Sequence, residues 1–164
     1  MATWESFGPK SERISIGVIS DTHGLLRPEA LEALQGSVHI VHAGDIGDPK
    51  ILKELERIAP VTAVRGNVDR GEWAKKIAEF EVVEVGGTAI CVRHILGDLD
   101  IKPEAAGIAA VIYGHSHAPK QDRKNGVLFF NPGSAGPRRF DLPISVGRLK
   151  VEGGKVQGEI VNLI

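Results

Sequence analysis

The sequence predicts an α/β fold, a parallel-cored sandwich with antiparallel hairpins in its second half. Two observations carry this. Buried-strand and helix patterns alternate as β-α-β-α-β through the first 67 residues, an order that usually builds a parallel sheet with right-handed crossovers. The remainder carries strand pairs split by Gly86-Gly87, Asn125-Gly126 and Gly153-Gly154, two-residue signatures of β-hairpins.

Ile14 to Ser20 (ISIGVIS) is apolar at nearly every position, as a strand covered on both faces should be. Pro28 opens a short helix pattern, PEALEALQG, that Gly36 stops. Val38 to Ala43 (VHIVHA) is the second strand. Pro49 opens PKILKELERIA, with Ile51, Leu52, Leu55 and Ile58 at helical spacing. Val61 to Arg65 is the third strand. Phe80 to Val85 pairs with Thr88 to His94, and a short helical piece is expected at Pro103 to Ala106. Ile108 to Tyr113 is another buried strand. Lys120 to Lys124 with Val127 to Phe130, and Ile144 to Val151 with Lys155 to Leu163, complete the hairpins.

At 164 residues the chain suits one domain, read as residues 14–164 behind a polar lead-in of residues 1–13. The formal charge is −1, which excludes a strongly basic nucleic-acid sleeve. Aromatic content of 5% argues against an extended nucleic-acid groove. The single Cys91 excludes an intrachain disulfide framework and a multi-cysteine zinc site. No apolar run reaches the ~18 residues of a membrane span or matches a signal peptide, so a cytoplasmic location without membrane attachment is expected.

The informative fact is where the polar residues fall. Asp21, His23, Asp45, Asn67, His94, His115 and His117 all lie at or just after the C-terminal end of a strand pattern. Ligands bind at that edge in α/β folds. Asp21 with His23, and His115 with His117, are spaced i, i+2, which in an extended chain places both side chains on one face. Each pair could grip one ion. Seven donors are too many for one tetrahedral site and suit two metals sharing a bridge, for which the two oxygens of Asp45 are the best candidate. Gly44, Gly66 and Gly114 directly precede Asp45, Asn67 and His115, as a close approach of backbone to the site requires. His39 reads as a core or hydrogen-bonded histidine, Cys91 as a buried small hydrophobe, and His42 as a structural neighbour of the site. Trp4 and Trp73 read as packing residues.

Asp21-Thr22-His23, Gly44-Asp45, Gly66-Asn67, His94 and Gly114-His115-Ser116-His117 together resemble the motifs of the calcineurin-like metallophosphoesterases. Val64-Arg65-Gly66-Asn67 and Asn131-Pro132-Gly133-Ser134 resemble the small YfcE-type phosphodiesterases in particular. The resemblance implies a four-layer α/β/β/α sandwich with two divalent ions. It assigns Asp21, His23, Asp45 and His117 to one ion and Asp45, Asn67, His94 and His115 to the other. Manganese is the first expectation, with nickel, cobalt, iron or zinc as alternatives. It further implies hydrolysis of a small phosphodiester or phosphomonoester by a hydroxide shared between the ions, with Asp45, Asn67 and His94 in the catalytic set.

Two departures stand out. Val68 occupies the place where larger relatives carry a proton-donating histidine, which leaves Asp69 as the substitute acid. Ile95 follows His94 where glycine is usual. Arg65, Arg138 and Arg139 are candidate substrate contacts. A protein-interaction scaffold of the same fold, like the small retromer subunit, is the alternative, as is a cyclic- or modified-nucleotide hydrolase. Homo-oligomerisation through a strand edge is left open.

Overall fold

The computed structural model describes residues 13–164. It has two five-stranded sheets. In chain order the elements are β1 (Arg13–Ile19), α1 (Pro28–Ala33), β2 (His39–His42), α2 (Lys50–Glu56), β3 (Val61–Ala63), α3 (Glu72–Lys75), β4 (Phe80–Val85) and β5 (Thr88–Arg93). Then follow β6 (Ala110–Ile112), β7 (Lys120–Lys124), β8 (Val127–Asn131), β9 (Ser145–Glu152) and β10 (Lys155–Asn162). One sheet runs β10-β9-β1-β2-β3 and the other β4-β5-β6-β8-β7. β1, β2 and β3 are parallel, as are β5, β6 and β8, and the three hairpins add the antiparallel strands.

The two-residue period of each strand divides its side chains between two cores. Ile16 and Val18 of β1 face the second sheet and meet Ile90, Val92, Ile112, Leu128 and Phe130. Ile19 and Ile40 face the other way, onto Leu34, Ile51 and Leu55 of the helical layer. Gly17 lies on that outer face, where a Cβ would come within 2.7 Å of Leu34 and 2.8 Å of Ser37. The outer face of the second sheet, with Cys91, Val111 and Val127, is covered by Leu96, Leu99, Ile101 and Ile108. The layers are therefore helix, sheet, sheet and a short helical segment.

All three hairpin turns have positive φ at both central residues, as the glycines and Asn125 allow. β7, at the edge of its sheet, is exposed throughout and carries Lys120, Asp122, Arg123 and Lys124, a charged edge that discourages further pairing.

Some expectations change. The helical piece expected at 103–106 is a run of turns, and the fourth layer's helical turn sits instead at Leu96–Asp98. α3 was not expected, because four residues are too short to show a period. Arg13 belongs to β1 rather than to the lead-in. The rest of that lead-in, including Trp4, lies outside the described residues. Among the described residues no helix is long and apolar enough to cross a membrane.

Candidate metal centre

The parallel strands deliver their C-terminal ends to one place. Two groups of donor atoms converge there, Asp21 with His23 and His117, and Asp45 with His94 and His115. The two i, i+2 pairs do not lie on extended strand as the sequence predicts. Asp21 and His23 have φ of 55° and 45°, and His115 and His117 have φ of 76° and 66°, so these segments are left-handed turns and not extended strand. Asp45 has φ 55° as well. Side-chain direction here comes from costly backbone conformations, which persist only where the surroundings enforce them. Asp21 and His23 share one group, whereas His115 and His117 divide between the two.

The enforcement is visible in hydrogen bonds. The Asp21 amide donates to the Gly44 carbonyl (2.9 Å), that of His23 to Asp45 (2.9 Å) and that of Gly24 to Ile46 (2.8 Å). The loop after β1 is thereby laced to the loop after β2. Asp21 Oδ2 accepts from the Ser20 hydroxyl at 2.7 Å and the His115 amide at 3.1 Å. Its Oδ1 is buried without a hydrogen-bond partner and faces the imidazoles, 3.4 Å from His117 Nε2 and 3.8 Å from His23 Nε2. Asp45 Oδ1 accepts from the Val68 amide at 3.2 Å. Its Oδ2 lies 3.1 Å from His94 Nε2 and 3.7 Å from His23 Nε2, between the two groups. His94 Nδ1 donates to the Ala43 carbonyl at 2.7 Å, so Nε2 presents its lone pair inward.

The glycines permit this closeness. A Cβ at Gly66 would strike Asp45 Oδ1 and the Asp45 amide, and one at Gly114 would lie 2.7 Å from Asp21 Oδ2. Asn67 is exposed beside His94, and both line a small cleft of about 120 Å³ with Arg65, Glu79, Arg93 and Asp98.

The donor set fits a divalent cation. The Nε2 atoms of His23 and His117 face each other at 3.2 Å. Donors bonded at ~2.0–2.2 Å to one ion stand roughly 3–3.5 Å apart, the spacing seen here. The charges agree. Burial raises the pKa of Asp21 despite the Ser20 hydrogen bond and nearby imidazoles. Burial would lower His94, yet Asp45 and Asp21 beside it raise its pKa. Burial also pushes Asp45 up, but the adjacent His94 and the Val68 amide bring it below its usual value. His117 is lowered, chiefly by burial. The upward shifts of Asp21 and His94 favour an added positive charge beside them, and the downward shift of His117 keeps its imidazole neutral.

Other expected residues take different places. Asp69 accepts three backbone amides, those of Ile46 (3.0 Å), Gly47 (2.9 Å) and Gly66 (2.8 Å). Both oxygens are thus engaged in joining the loops after β2 and β3. Arg65 donates to the Ile77 carbonyl at 2.7 Å and to Glu79 at 2.9 Å, a structural commitment at the cleft wall. Arg138 donates to the Leu142 carbonyl at 3.1 Å. Arg139 makes no ion pair among the described residues.

His42 is the structural neighbour of the site that the sequence predicts. It is fully buried. Its Nδ1 accepts from the Gly44 amide at 3.1 Å, so Nε2 carries the proton and donates to Thr22 Oγ1 at 3.0 Å. Thr22 in turn donates to the Ile46 carbonyl at 2.8 Å. The Asn131-Pro132-Gly133-Ser134 motif also acts as a brace. Asn131 donates to Gly114 at 3.2 Å, and Ser134 to the Asp21 carbonyl at 3.0 Å. His39, bonded to Thr62 Oγ1 at 2.7 Å, is structural as expected.

Comparisons with known proteins point the same way. Residues 14–154 match the calcineurin-like phosphoesterase superfamily domain. A protein of Methanothermobacter thermautotrophicus named a probable metallophosphoesterase is 36% identical over 157 residues, covering 89% of this chain and 91% of its own. Phosphodiesterase YfcE of Escherichia coli is 26% identical over 156 residues, covering 79% and 84%. Among solved structures, one described as a novel archaeal phosphodiesterase superposes with a TM-score of 0.74 at 26% identity, over 90% of this chain and 100% of that one. Vacuolar protein sorting 29 of Cryptosporidium parvum has the same fold, with a TM-score of 0.73 at 20% identity over 90% and 96%. The chain belongs to the calcineurin-like phosphoesterase superfamily, with YfcE-type phosphodiesterases among its relatives.

Proposed function

We propose that this protein is a metal-dependent phosphodiesterase with a dinuclear centre. Asp21, His23, Asp45 and His117 would hold one divalent ion, and Asp45, Asn67, His94 and His115 the other. The observation that carries this is the pair of donor groups meeting across Asp45, with Asp21 Oδ1 and His94 Nε2 buried there without a hydrogen-bond partner. When bound, the ions supply positive charge for the phosphoryl oxygens and activation of water.

The chain's own residues do the positioning. Ser20 and the His115 amide hold Asp21 so that only Oδ1 faces the centre. The Ala43 carbonyl sets the tautomer of His94. Asp69, His42 and Thr22 bind the donor loops to one another. Val68 stands in the general-acid position, and both oxygens of Asp69 accept backbone amides. The enzyme should therefore favour esters whose alcohol leaves readily as an anion.

A scaffold role shares the fold, but all seven donor positions carry competent side chains. Metal content of purified protein, measured with hydrolysis of an aryl phosphodiester with and without Mn²⁺, tests the proposal. Near two ions per chain with metal-dependent turnover is expected. No bound metal and no turnover after Mn²⁺ is supplied would overturn it.

A further inference from the structure

Seven non-glycine residues among those described have positive φ. Five are the donors Asp21, His23, Asp45, His115 and His117, and one is Asn125 in a hairpin turn, where this conformation is usual. The seventh is Phe140, with φ 54°. It occupies the second position of a turn closed by the Leu142 amide on the Arg139 carbonyl at 3.1 Å. A bulky side chain is poorly suited to that backbone region. Phe140 is also 84% exposed, the most exposed large apolar residue described. It therefore combines an unfavourable backbone with an unfavourable surface, and packing within the chain offsets neither.

Its location supplies a reason. The segment leading to it is anchored on the first donor group. Ser134 bonds the Asp21 carbonyl at 3.0 Å, and Gly136 abuts the Asp21 and Thr22 carbonyls so closely that no Cβ fits. Arg27 donates to the Gly136 carbonyl at 3.3 Å, and Arg138 closes the far side of the turn on Leu142. Arg139 is near enough for its charge to be felt at His117. An exposed ring and a guanidinium with no ion pair among the described residues thus follow, within four residues, the point where this segment packs against the first donor group.

We propose that Phe140 is a substrate-binding residue whose ring stacks on the base of a nucleotide-sized phosphoester, with Arg139 adding charge to its phosphate side. This rests on the phosphoesterase function proposed above and narrows its substrate to esters bearing a planar aromatic group. Stacking of a base on an exposed aromatic is tolerant of base identity and contributes substantially to binding.

The test uses Mn²⁺-loaded protein hydrolysing ethyl 4-nitrophenyl phosphate. Inhibition constants are measured for adenosine 5′-monophosphate and for ribose 5-phosphate, which lacks the base. Phe140→Asn, which suits the left-handed turn, should raise the constant for adenosine 5′-monophosphate about tenfold. It should leave that for ribose 5-phosphate unchanged, and Phe140→Tyr should restore the wild-type preference. Separately, Phe140→Trp should gain emission that adenosine 5′-monophosphate quenches, beyond any change in wild type. Equal shifts for both inhibitors, no shift for either, or emission indifferent to the nucleotide would overturn the proposal. So would a change of oligomeric state in Phe140→Asn, which would make the ring an interface between copies. Failure of wild type to hydrolyse the ester would sink the phosphoesterase function instead, and the emission experiment would still decide the stacking.

Discussion

His42→Phe tests whether the geometry of the donor loops depends on a buried hydrogen-bond relay. Phenylalanine keeps a ring in the space but removes the bonds to the Gly44 amide and Thr22 Oγ1. Leaving a buried donor or acceptor unsatisfied costs about 1–3 kcal/mol, and because Thr22 keeps its bond to the Ile46 carbonyl while the Gly44 amide loses its side-chain partner, a loss of about 2–4 kcal/mol is expected at pH 7.5. For a chain of this size that lowers the melting temperature by about 5–15 °C. The loss also depends on pH. Burial first, and then the nearby His94, depress the His42 pKa from 6.5 to about 3. The unfolded chain takes up this proton as pH falls below 6.5, and the folded chain does not until about pH 3. Stability linked to His42 is therefore complete above pH 6.5 and is lost progressively as pH falls toward 3. Between pH 7.5 and 4.5 wild type loses about 2.7 kcal/mol from this group alone, at about 1.36 kcal/mol per pH unit over about two units. The variant has no such proton to take up. Urea unfolding of metal-free wild type and His42→Phe across this range should show two stabilities that converge on acidification, since the other titrating groups are common to both. A difference below about 1 kcal/mol at pH 7.5, or one that stays constant to pH 4.5, would refute the relay.

Two further predictions concern the centre itself. Asp45→Ala removes the carboxylate that stands between both donor groups, so bound metal and hydrolysis should fall together, activity by at least about a hundredfold. Wild-type turnover that survives metal stripping and chelation would contradict this. Asp69→Asn weakens the three-amide brace, which should lower the melting temperature and reduce kcat for good and poor leaving groups alike. A loss confined to poor leaving groups, with stability intact, would return Asp69 to the role of proton donor.

Much of this architecture was legible before any coordinates. The strand patterns of Ile14–Ser20 and Val38–Ala43 and the three hairpin turns depend on local backbone preference and burial, and these survive in tertiary context. Element ends were less legible. Helical spacing continued past Glu56, but α2 stops there. The short α3 leaves no periodic signal.

The donors were found because strand ends in a parallel sheet must converge, a consequence of topology that spacing along the chain can reveal. What the chain order could not show is how the side chains turn once there. The i, i+2 pairs looked like extended strand, whereas left-handed turns aim them and send His115 and His117 to different groups. The roles of Asp69 and Ser134 were equally hidden, since each acts by bonding backbone groups from segments distant in sequence. Residue type and spacing therefore determined which atoms are available for chemistry. Only the packed tertiary structure decided which lone pairs face one another and which carboxylate is consumed as a brace, because those outcomes depend on hydrogen bonds between loops that meet only after both sheets have formed.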